Sequence, residues 1–343
     1  MAPSTTGVVA PTPSGLAAAA ESLREGRLIG IPTETVYGLA ARGDDDSAVA
    51  NIFIAKRRPA TNPLILHVAD RLSARSCLAD DLDPVTQRRF DRAATLWPGP
   101  LTLIGAKSSR IPDRVTAGGP TVGVRIPNHP VTLALLSQLD FPVAAPSANV
   151  ANYISPTTAG HVWDGLHESL ALVLDGGPCA VGLESTIVSL GDSHRRPRIL
   201  RAGGVDAAAL QSCLGEPVES AASSVTPERT MATAPGQSAR HYSPATPLHL
   251  VSTHQVRPTK DGRCLRIHAV RCDTSVTAYA ETWTISDADD WTEVARELYA
   301  TLRRADAGHF DHIDMDMGTD RLDAHQDHLV KAIEDRLRRA STS

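Results

Sequence analysis

Short apolar runs alternate with helical patterns through the first 214 residues of this chain, and polar residues often follow where a run ends. Strand-like runs are predicted at Leu28–Ile31, Leu64–Val68, Leu101–Ala106, Val122–Ile126, Val143–Ala145, Ala171–Leu174, Ser185–Leu190 and Ile199–Arg201. Helical patterns are predicted at Leu16–Arg27, Ala48–Lys56, Pro84–Leu96, Pro130–Leu139, Thr157–Leu166 and Asp206–Leu214. This alternation is typical of an α/β domain, although the strand spacing is too uneven for a regular Rossmann unit.

The length of 343 residues allows two domains, because one domain takes about 100–200 residues. Residues 215–246 are rich in Ser, Thr, Pro and Ala, which is the composition of a linker. We therefore predict a disordered tail over 1–15, a first domain over 16–214, the linker over 215–246 and a second domain over 247–343. In the second domain, strand-like runs lie at Leu248–Val251, Cys264–Val270 and His312–Met315, and helices at Trp291–Arg304 and about 324–339.

The charge distribution excludes a broad nucleic-acid surface. The net charge is −5 for the whole chain, about +1 over residues 1–205 and −6 over the rest, so any contact with RNA would be a local patch. Five cysteines form no C-x-x-C pair, which favours thiols in a reducing compartment. No run approaches the roughly 18 apolar residues of a membrane helix. We predict a cytoplasmic protein.

The segment Lys56–Val68 is the densest group of polar residues in the first domain. Lys56, Arg57 and Arg58 precede one buried-looking strand, and Asn62 and His67 lie around it. Cations at a helix C-terminus also complement the helix dipole without any ligand. A histidine among apolar neighbours is often a hydrogen-bonded core residue. Together, these side chains suit a polyphosphate site as well as they suit the structural interpretation.

Other strand ends carry residues with two open interpretations. Arg125 lies inside an apolar strand and must pair with a structural carboxylate or bind a ligand, because unpaired burial is costly. The run Pro32–Leu39 could bind a small zwitterion or simply cap a turn. Ser147 and Asn149 could recognise a phosphate or ribose or form a plain turn. The turn before Ser185 is no Walker A loop, because no Gly-Lys-Ser/Thr sequence follows.

No nucleophile–base dyad is recognisable among these residues. The pattern therefore predicts chemistry by positioning and charge neutralisation rather than by a protein nucleophile. His325 and His328, three residues apart, have no third ligand nearby, so a surface helix is favoured over a metal site.

Taken together, these runs resemble the L-threonylcarbamoyladenylate synthases, in the long two-domain form of the YrdC-like family. The resemblance covers about residues 16–246 and rests on motifs that appear in the family's order. They are Pro32–Leu39, Lys56–Val68, Trp97–Thr102, Val122–Pro127, Pro146–Asn149, Ser155–Thr157, Gly182–Val188, Ile199–Arg201 and, in the linker, Arg240–Pro244.

The resemblance implies a twisted, mostly open mixed sheet with a concave face, followed by a linker and a smaller Rossmann-like α/β domain. It also implies a reaction in which L-threonine, bicarbonate and ATP give threonylcarbamoyl-AMP and pyrophosphate. This is the first step of threonylcarbamoyl-adenosine modification beside the tRNA anticodon. A downstream tRNA threonylcarbamoyl-transferase complex is the implied partner, and direct contact with tRNA is left open.

The resemblance also implies roles for individual residues. Threonine and its carbamate would be held by Thr35, His67, Arg125, the backbone at Ala145, and Ser185. ATP would be held by Lys56, Arg58, Asn62, Thr121, Ser147, Asn149, Ser155, Arg201 and Tyr242, with Tyr242 delivered by the linker as a lid. Mg²⁺ would be held by the phosphates and water rather than by the protein, because no carboxylate cluster is visible.

Two alternatives predict different properties. An RNA-binding module using the same concave face without chemistry would need more positive charge than the first domain has. The related domain of hydrogenase maturation proteins would bring zinc-finger-like cysteine pairs and an acylphosphatase-like segment, and the sequence has neither.

Overall fold

The computed structural model of the chain describes residues 7–220, 234–235, 241–257, 262–272, 278–318 and 328–341. Within these ranges, one eleven-stranded mixed sheet belongs to the first domain and one four-stranded parallel sheet to the second. The predicted α/β class is confirmed. No described helix combines the length and the apolar composition that crossing a bilayer requires.

The first domain consists of short strands and helices. Its strands are β1 (Val8–Val9), β2 (Ile29–Ile31), β3 (Gly38–Arg42), β4 (Ile65–His67), β5 (Leu101–Ala106), β6 (Thr121–Arg125), β7 (Val143–Ala144), β8 (Leu172–Leu174), β9 (Thr186–Ser189), β10 (Arg198–Arg201) and β11 (Glu219–Ser220). Its α-helices are α1 (Pro13–Arg24), α2 (Asp46–Lys56), α3 (Arg71–Ser76), α4 (Pro84–Ala93), α5 (Pro130–Leu136), α6 (Ala159–Leu166) and α7 (Ala207–Leu214). Three 3₁₀ turns lie at Ala94–Leu96, Asp113–Thr116 and His167–Ser169.

The order of strands is β1-β8-β2-β3-β7-β4-β6-β5-β9-β10-β11. Strands β4 and β6 are parallel, and their register sets His67 opposite Arg125. Side chains alternate between the two faces of a strand, so the neighbours Leu66 and Val124 point the other way and pack in the main core. One face of the central strands is thus buried under helices, and the other carries the polar residues.

Helix α2 positions the cations that the sequence singled out. The Asp45 carboxylate caps its start by accepting the N–H groups of Ser47 and Ala48, at 2.8 and 3.2 Å. The helix ends at Arg57, whose φ of 51° is left-handed and turns the chain back. Lys56 therefore lies in the last turn and Arg58 just beyond it, as predicted.

The N-terminal segment differs from the prediction of a disordered tail over residues 1–15. Val8 and Val9 form β1, which pairs in parallel with β8, and α1 begins at Pro13 after a Thr12 cap. Pro, Ser and Thr indicated disorder because local composition does not reveal a distant partner strand. Residues 1–6 lie outside the described residues.

The second domain contains β12 (Leu248–Val251), β13 (Cys264–Val270), β14 (Glu281–Ser286), β15 (His312–Asp316), α8 (Trp291–Ala307) and α9 (His328–Ala340). All adjacent strands are parallel, in the order β12-β15-β13-β14. Its core includes three residues of the first domain, Val36, Ile154 and Leu183. The two domains therefore share a continuous apolar contact. The first sheet also extends past residue 214, because β11 pairs with β10.

Candidate active site

A pocket lies on the polar face of the first sheet, between the strand ends and the linker. Its lining combines hydroxyls, three arginines and two histidines with small residues. The lining residues are Thr33, Thr35, Val36, Tyr37, Gly38, Arg58, Ile65, His67, Arg125, Ala145, Pro146, Ser147, Glu184, Ser185, Arg201, Pro235, His241 and Tyr242. All five residues predicted to hold threonine are among them.

The loop after β2 is held rigid by Thr33. Its hydroxyl donates to the Val36 carbonyl at 2.6 Å and accepts the N–H groups of Thr35 and Val36, each at 3.2 Å. The Thr35 hydroxyl accepts a hydrogen bond from Arg125 at 2.9 Å. Thr33 therefore stabilises the turn, whereas Thr35 faces the pocket and its role in binding a ligand stays a prediction.

Arg125 is paired with a carboxylate and also lines the pocket. Its Nη2 lies 2.7 Å from an oxygen of Glu34, and its Nε donates to the Gly99 carbonyl at 3.3 Å. Burial would raise the pKa of Glu34, but the Arg125 charge holds that pKa below its usual value. The ion pair neutralises part of the arginine's charge and fixes the guanidinium beside Thr35.

His67 lies next to Arg125 at the end of β4 and is 3% exposed. Burial and the nearby Arg125 charge lower its pKa to about 3, so the imidazole is neutral at physiological pH. Its Nδ1 has no hydrogen-bond partner in the part of the chain that the structure describes. A neutral imidazole with an unused nitrogen can hydrogen-bond to a bound ligand.

Arg58 and Arg201 form a second group of cations in the pocket. Arg58 donates to the carbonyls of Asn62 and Pro63 and, at 2.6 Å, to the Asn62 amide oxygen. Arg201 donates to the carbonyl and the hydroxyl of Ser185, at 3.0 and 3.1 Å. Burial and the charge of Arg201 lower the pKa of Arg58 to about 9. Two cations that repel each other inside a pocket favour an anionic ligand.

Lys56 lies behind the pocket rather than in its lining. Its ammonium donates to the Ser147 carbonyl at 2.6 Å and to the Asn149 carbonyl. Burial and the charge of Arg58 lower its pKa well below the usual value. Lys56 thus holds the loop that carries Ser147 and Asn149.

The remaining residues predicted to bind ATP have different positions. The Asn149 amide donates to the Val150 and Tyr153 carbonyls, each at 2.8 Å, while its oxygen has no partner within the described ranges. Ser155 is fully buried and donates to Glu184 at 2.7 Å. Asn62 orients Arg58, and Thr121 is exposed at the start of β6, outside the pocket lining. These four residues are not in the lining.

The linker contributes the cover of the pocket. His241 and Tyr242 are both buried, with ring centroids 4.0 Å apart, and the Tyr242 ring stacks on Tyr299 of α8 at 5.8 Å. The cavity beneath them is about 50 Å³, whereas pockets that hold a drug-sized ligand have about 300–1,000 Å³. In this arrangement the covered cavity is smaller than such a ligand.

Sequence reasoning assigned no site role to several lining residues, notably Glu184, His241 and Pro235. Glu184 directly precedes Ser185, and His241 precedes Tyr242, so a search one residue outward from each predicted site residue could have found both. Pro235 enters the pocket through the path of the linker, for which the sequence has no local signal.

Groups that could ligate a metal ion lie in both domains. Glu34 and Glu184 in the first domain are each paired with an arginine. Elsewhere in the described ranges, ligand atoms of His268, Cys272 and Asp316 lie within 4.8 Å of one another. The Asp316 carboxylate, however, already accepts four hydrogen bonds, from Arg266, His268, Thr253 and the Gly318 N–H. That carboxylate is saturated, so the group does not fit a metal ion.

Comparison with known proteins gives matches over both domains. Residues 21–203 match the Sua5/YciO/YrdC family, described as "Telomere recombination", and residues 205–342 match "Threonylcarbamoyl-AMP synthase, C-terminal domain". The chain is 36% identical over 312 residues to the threonylcarbamoyl-AMP synthase of Bacillus subtilis, covering 87% of this chain and 86% of the relative. It is 39% identical over 233 residues to the enzyme of that name from Pyrococcus abyssi, covering 68% and 66%.

A solved structure is similar over nearly the whole length. The crystal structure of P. abyssi Sua5 complexed with L-threonine has a TM-score of 0.82 and 32% identity, and the match covers 98% of each chain. Both domains, and their arrangement in one chain, thus have counterparts in a single known protein.

Proposed function

The chain belongs to the threonylcarbamoyl-AMP synthase family, and on that premise we propose that it joins L-threonine, bicarbonate and ATP into L-threonylcarbamoyl-AMP, releasing pyrophosphate. Membership confirms the resemblance, the fold class and the enzyme class predicted from the sequence. The alternative of an RNA-binding module without chemistry is not favoured, because the relatives are named as synthases.

The proposal rests on one pocket that combines three arginines with hydroxyl groups, none of which has a general base beside it among the described residues. Arg58, Arg125 and Arg201 line one pocket. The Ser185 hydroxyl is bonded to Thr102 and Arg201, and no histidine of the described residues reaches it. A pocket of this kind can hold two anions side by side but offers no activated nucleophile. The chemistry it supports is reaction between bound substrates.

The proposed reaction needs no covalent intermediate on the protein. The neutral threonine amine attacks the bicarbonate carbon and forms an N–C bond. The C–OH bond of bicarbonate breaks, and the hydroxide takes the proton released by the amine and leaves as water. An oxygen of the resulting carbamate then attacks the α-phosphorus of ATP. The bond from this phosphorus to the bridging oxygen breaks, and pyrophosphate departs with the electron pair.

Within this reaction we assign threonine to the end of the pocket formed by β4 and β6. Arg125 would bind its carboxylate, held ready by Glu34. Thr35, the neutral His67 and the backbone at Ala145 would recognise the remaining polar groups. The threonine-bound structure of the P. abyssi relative supports threonine as a ligand of this fold.

We assign ATP to the end formed by Arg58, Arg201, Ser147 and Tyr242, which line the pocket. Four further residues would not contact ATP themselves but would hold Arg58 and the loops that line the pocket: Lys56, Asn62, Asn149 and Ser155. Thr121 stays a prediction, since its side chain lies outside the closed pocket. Ser185 lies between the two ends and would hold the carbamate where it meets the phosphate.

Mg²⁺ would arrive with the triphosphate, because the two carboxylates at the pocket already pair with arginines. It would neutralise phosphate charge and be held by phosphate oxygens and water. We further propose that the product passes to a tRNA threonylcarbamoyl-transferase complex and that the reaction occurs in the cytoplasm. No disulfide joins the described cysteines, which fits a reducing compartment.

The decisive experiment measures pyrophosphate release from ATP with Mg²⁺, omitting threonine or bicarbonate in turn. We expect release only when both are present. Release that ignores threonine, or folded protein that binds ATP and releases nothing, would contradict the proposed function. Salt-sensitive tRNA binding without release would favour the RNA-binding alternative.

Arg58→Ala tests the ATP end of the pocket, with the neighbouring exposed Arg57→Ala as matched control. We expect Arg58→Ala to lower kcat/KM for ATP about 10²–10³-fold, because a cation facing the phosphates is lost. Arg57→Ala should stay within about threefold of the unaltered protein. Equal activity of the two folded variants would remove Arg58 from the ATP site.

A further inference from the structure

The Glu184 carboxylate connects the two domains at the edge of the pocket. From the first domain, the Ser155 hydroxyl donates to it at 2.7 Å. From the second, the Tyr299 hydroxyl lies 3.2 and 3.1 Å from its two oxygens, and Arg336 Nε donates at 3.1 Å. Glu184 is 6% exposed. A buried carboxylate with donors from both domains ties the geometry of one to the other.

The two second-domain donors come from separate helices. Tyr299 lies on α8 and Arg336 on α9, and both side chains are almost completely buried. Arg336 also donates to the Ala202 carbonyl at 2.7 Å, just after β10. The backbones of the two domains are also in close contact at Gly182, because a Cβ atom at this position would lie 2.4 Å from the Ala295 carbonyl oxygen of α8. The segment before β9 is therefore fixed by the second domain.

The same residues support the linker. The Tyr242 ring stacks on Tyr299 at 5.8 Å with an interplanar angle of 22°, and the Arg336 guanidinium lies 5.5 Å from its centre. Tyr242 covers the nucleotide end of the pocket in the proposed function. Tyr299 and Arg336 thus contact both Tyr242, which covers the pocket, and Glu184, which accepts the hydrogen bond of Ser155.

The charge of Glu184 depends on these partners. Burial would raise its pKa, but Arg336 and Arg201 hold the pKa below its usual value. A buried carboxylate that loses its partner is strongly destabilised and takes up a proton or reorganises. Either response would disturb Ser155, whose hydroxyl donates to that carboxylate.

We propose that Tyr299 and Arg336 are positioning residues for ATP, which complete the nucleotide end of the pocket through Glu184 although they belong to the second domain. This inference rests on the proposed function for the identity of the ligand. It gives the second domain a role that the assignment of pocket residues leaves open. The pocket is then complete only when that domain is docked.

Tyr299→Phe tests the proposal against a matched control. Tyr153→Phe also removes a tyrosine–carboxylate hydrogen bond between the domains, from Tyr153 to Asp306 at 2.7 Å, but Tyr153 is not part of the pocket lining. We expect Tyr299→Phe to raise KM for ATP about five- to tenfold, because a hydrogen bond to a buried charge is lost. KM for threonine should change less than about twofold, and Tyr153→Phe should change neither.

Arg336→Met tests the coupling through Glu184. It leaves the carboxylate without its cation, so we expect KM for ATP to rise at least about tenfold. Adding Glu184→Gln to Arg336→Met removes the unpaired carboxylate charge. KM for ATP should then be at least about threefold lower in the double variant than in Arg336→Met. A double variant no better than Arg336→Met would overturn the role of Glu184. If Arg336→Met does not fold, the comparison of KM for ATP between Tyr299→Phe and Tyr153→Phe still tests the proposal.

Equilibrium binding of Mg²⁺–ATP by calorimetry separates this proposal from the proposed function. If the unaltered protein binds ATP but releases no pyrophosphate, the proposed function fails, and the affinities of Tyr299→Phe and Tyr153→Phe still test the positioning role. If pyrophosphate release is normal and the two variants bind ATP equally well, the proposed function stands and the positioning role is wrong.

Discussion

Each domain of this protein buries an arginine–carboxylate pair on an apolar strand, and the two pairs have different surroundings. In the first domain, Arg125 lies 2.7 Å from Glu34, donates to Thr35 and lines the pocket. In the second, Arg266 donates to Asp316 at 2.9 Å and is completely buried. Both pairs satisfy the rule that buried charges are paired.

The two ion pairs differ in the number of additional hydrogen bonds that their members form. Arg266 also donates to three backbone carbonyls after β12, those of Ser252, Thr253 and Gln255. Among side chains, Asp316 has three donors, Arg266, His268 and Thr253, whereas Glu34 has one partner, Arg125, within the described residues; each carboxylate also has backbone N–H contacts. The Asp316 carboxylate is saturated and both terminal nitrogens of Arg266 donate, although its Nε has no partner among the described residues, so this pair holds the fold together. The first is held in place on one side and faces a cavity on the other.

This comparison shows why burial of a charge does not by itself identify a functional site. Burial and pairing are common to both arginines. Arg125 lines a pocket beside a His67 nitrogen that has no partner in the described structure, so a ligand can reach this pair, whereas Arg266 is not part of that lining. The comparison therefore predicts opposite effects on stability and on activity when each arginine is replaced.

The largest expected effect is on stability. Arg266→Met should lower the free energy of unfolding of the second domain by about 3–5 kcal/mol, because Asp316 is left buried without its cation. The folded fraction should keep kcat/KM within about threefold of the unaltered protein. Urea unfolding, followed by the fluorescence of the second-domain Trp283 and Trp291 in a protein whose first-domain tryptophans are replaced, measures the first quantity. An equally stable Arg266→Met protein would show that the pair is dispensable.

The next effect is on activity. Arg125→Met should lower kcat/KM for threonine about 10²–10³-fold, since a charged group that contacts the substrate is lost. Its cost in stability should be smaller than that of Arg266→Met, because Arg125 has fewer hydrogen-bond partners than Arg266. Pyrophosphate release at varied threonine concentration measures this. A loss confined to stability would mean that Arg125 is only structural.

The smallest effect is a difference in the pH at which each region loses stability. His67 has a folded pKa of about 3, below the usual 6.5, so the unfolded state binds more protons between these values and stability falls as pH falls below about 6.5. At pH 5 the cost is about 2 kcal/mol. His67→Leu should make this slope shallower, while His161, whose pKa burial lowers to about 4, keeps part of it.

Asp316 behaves differently in the same experiment. Its pKa is about 2, because hydrogen bonds from His268 and Arg266 outweigh the effect of burial, so its contribution is present above about 4 and is lost between about 4 and 2. Thermal unfolding between pH 7.5 and 5 should therefore weaken the first domain before the second. Equal weakening of both domains, or an unchanged slope in His67→Leu, would contradict this difference.

The sequence was sufficient for most of the first sheet but not for all of it. β5 was predicted with the observed bounds, because a six-residue apolar run between turn residues has few other structures available. β3 was missed, since Gly38–Arg42 is rich in small residues and forms a strand through pairing with β2 and β7. β14 was missed as well, because it lies at the edge of the sheet and alternates exposed polar residues with Trp283 and Ile285.

The candidate site was predictable to the extent that its residues are individually unusual. Arg125 drew attention as a charge in an apolar strand, and Lys56 as a cation after a helix. Arg266 lies in an equally apolar strand without drawing a prediction, because a sequence does not show how many hydrogen bonds a charge receives. Tyr299 and Arg336 come from helices more than 100 residues away from Glu184. Their role depends on domain packing that no local pattern encodes.

The central claim is that the Arg125 pair, unlike the Arg266 pair, belongs to a ligand site. Calorimetric titration of L-threonine into the unaltered protein, Arg125→Met and Arg266→Met, each first shown to be folded, tests it most directly. The account predicts that threonine binding is lost in Arg125→Met and retained in Arg266→Met. Threonine binding of unchanged affinity in folded Arg125→Met would contradict it.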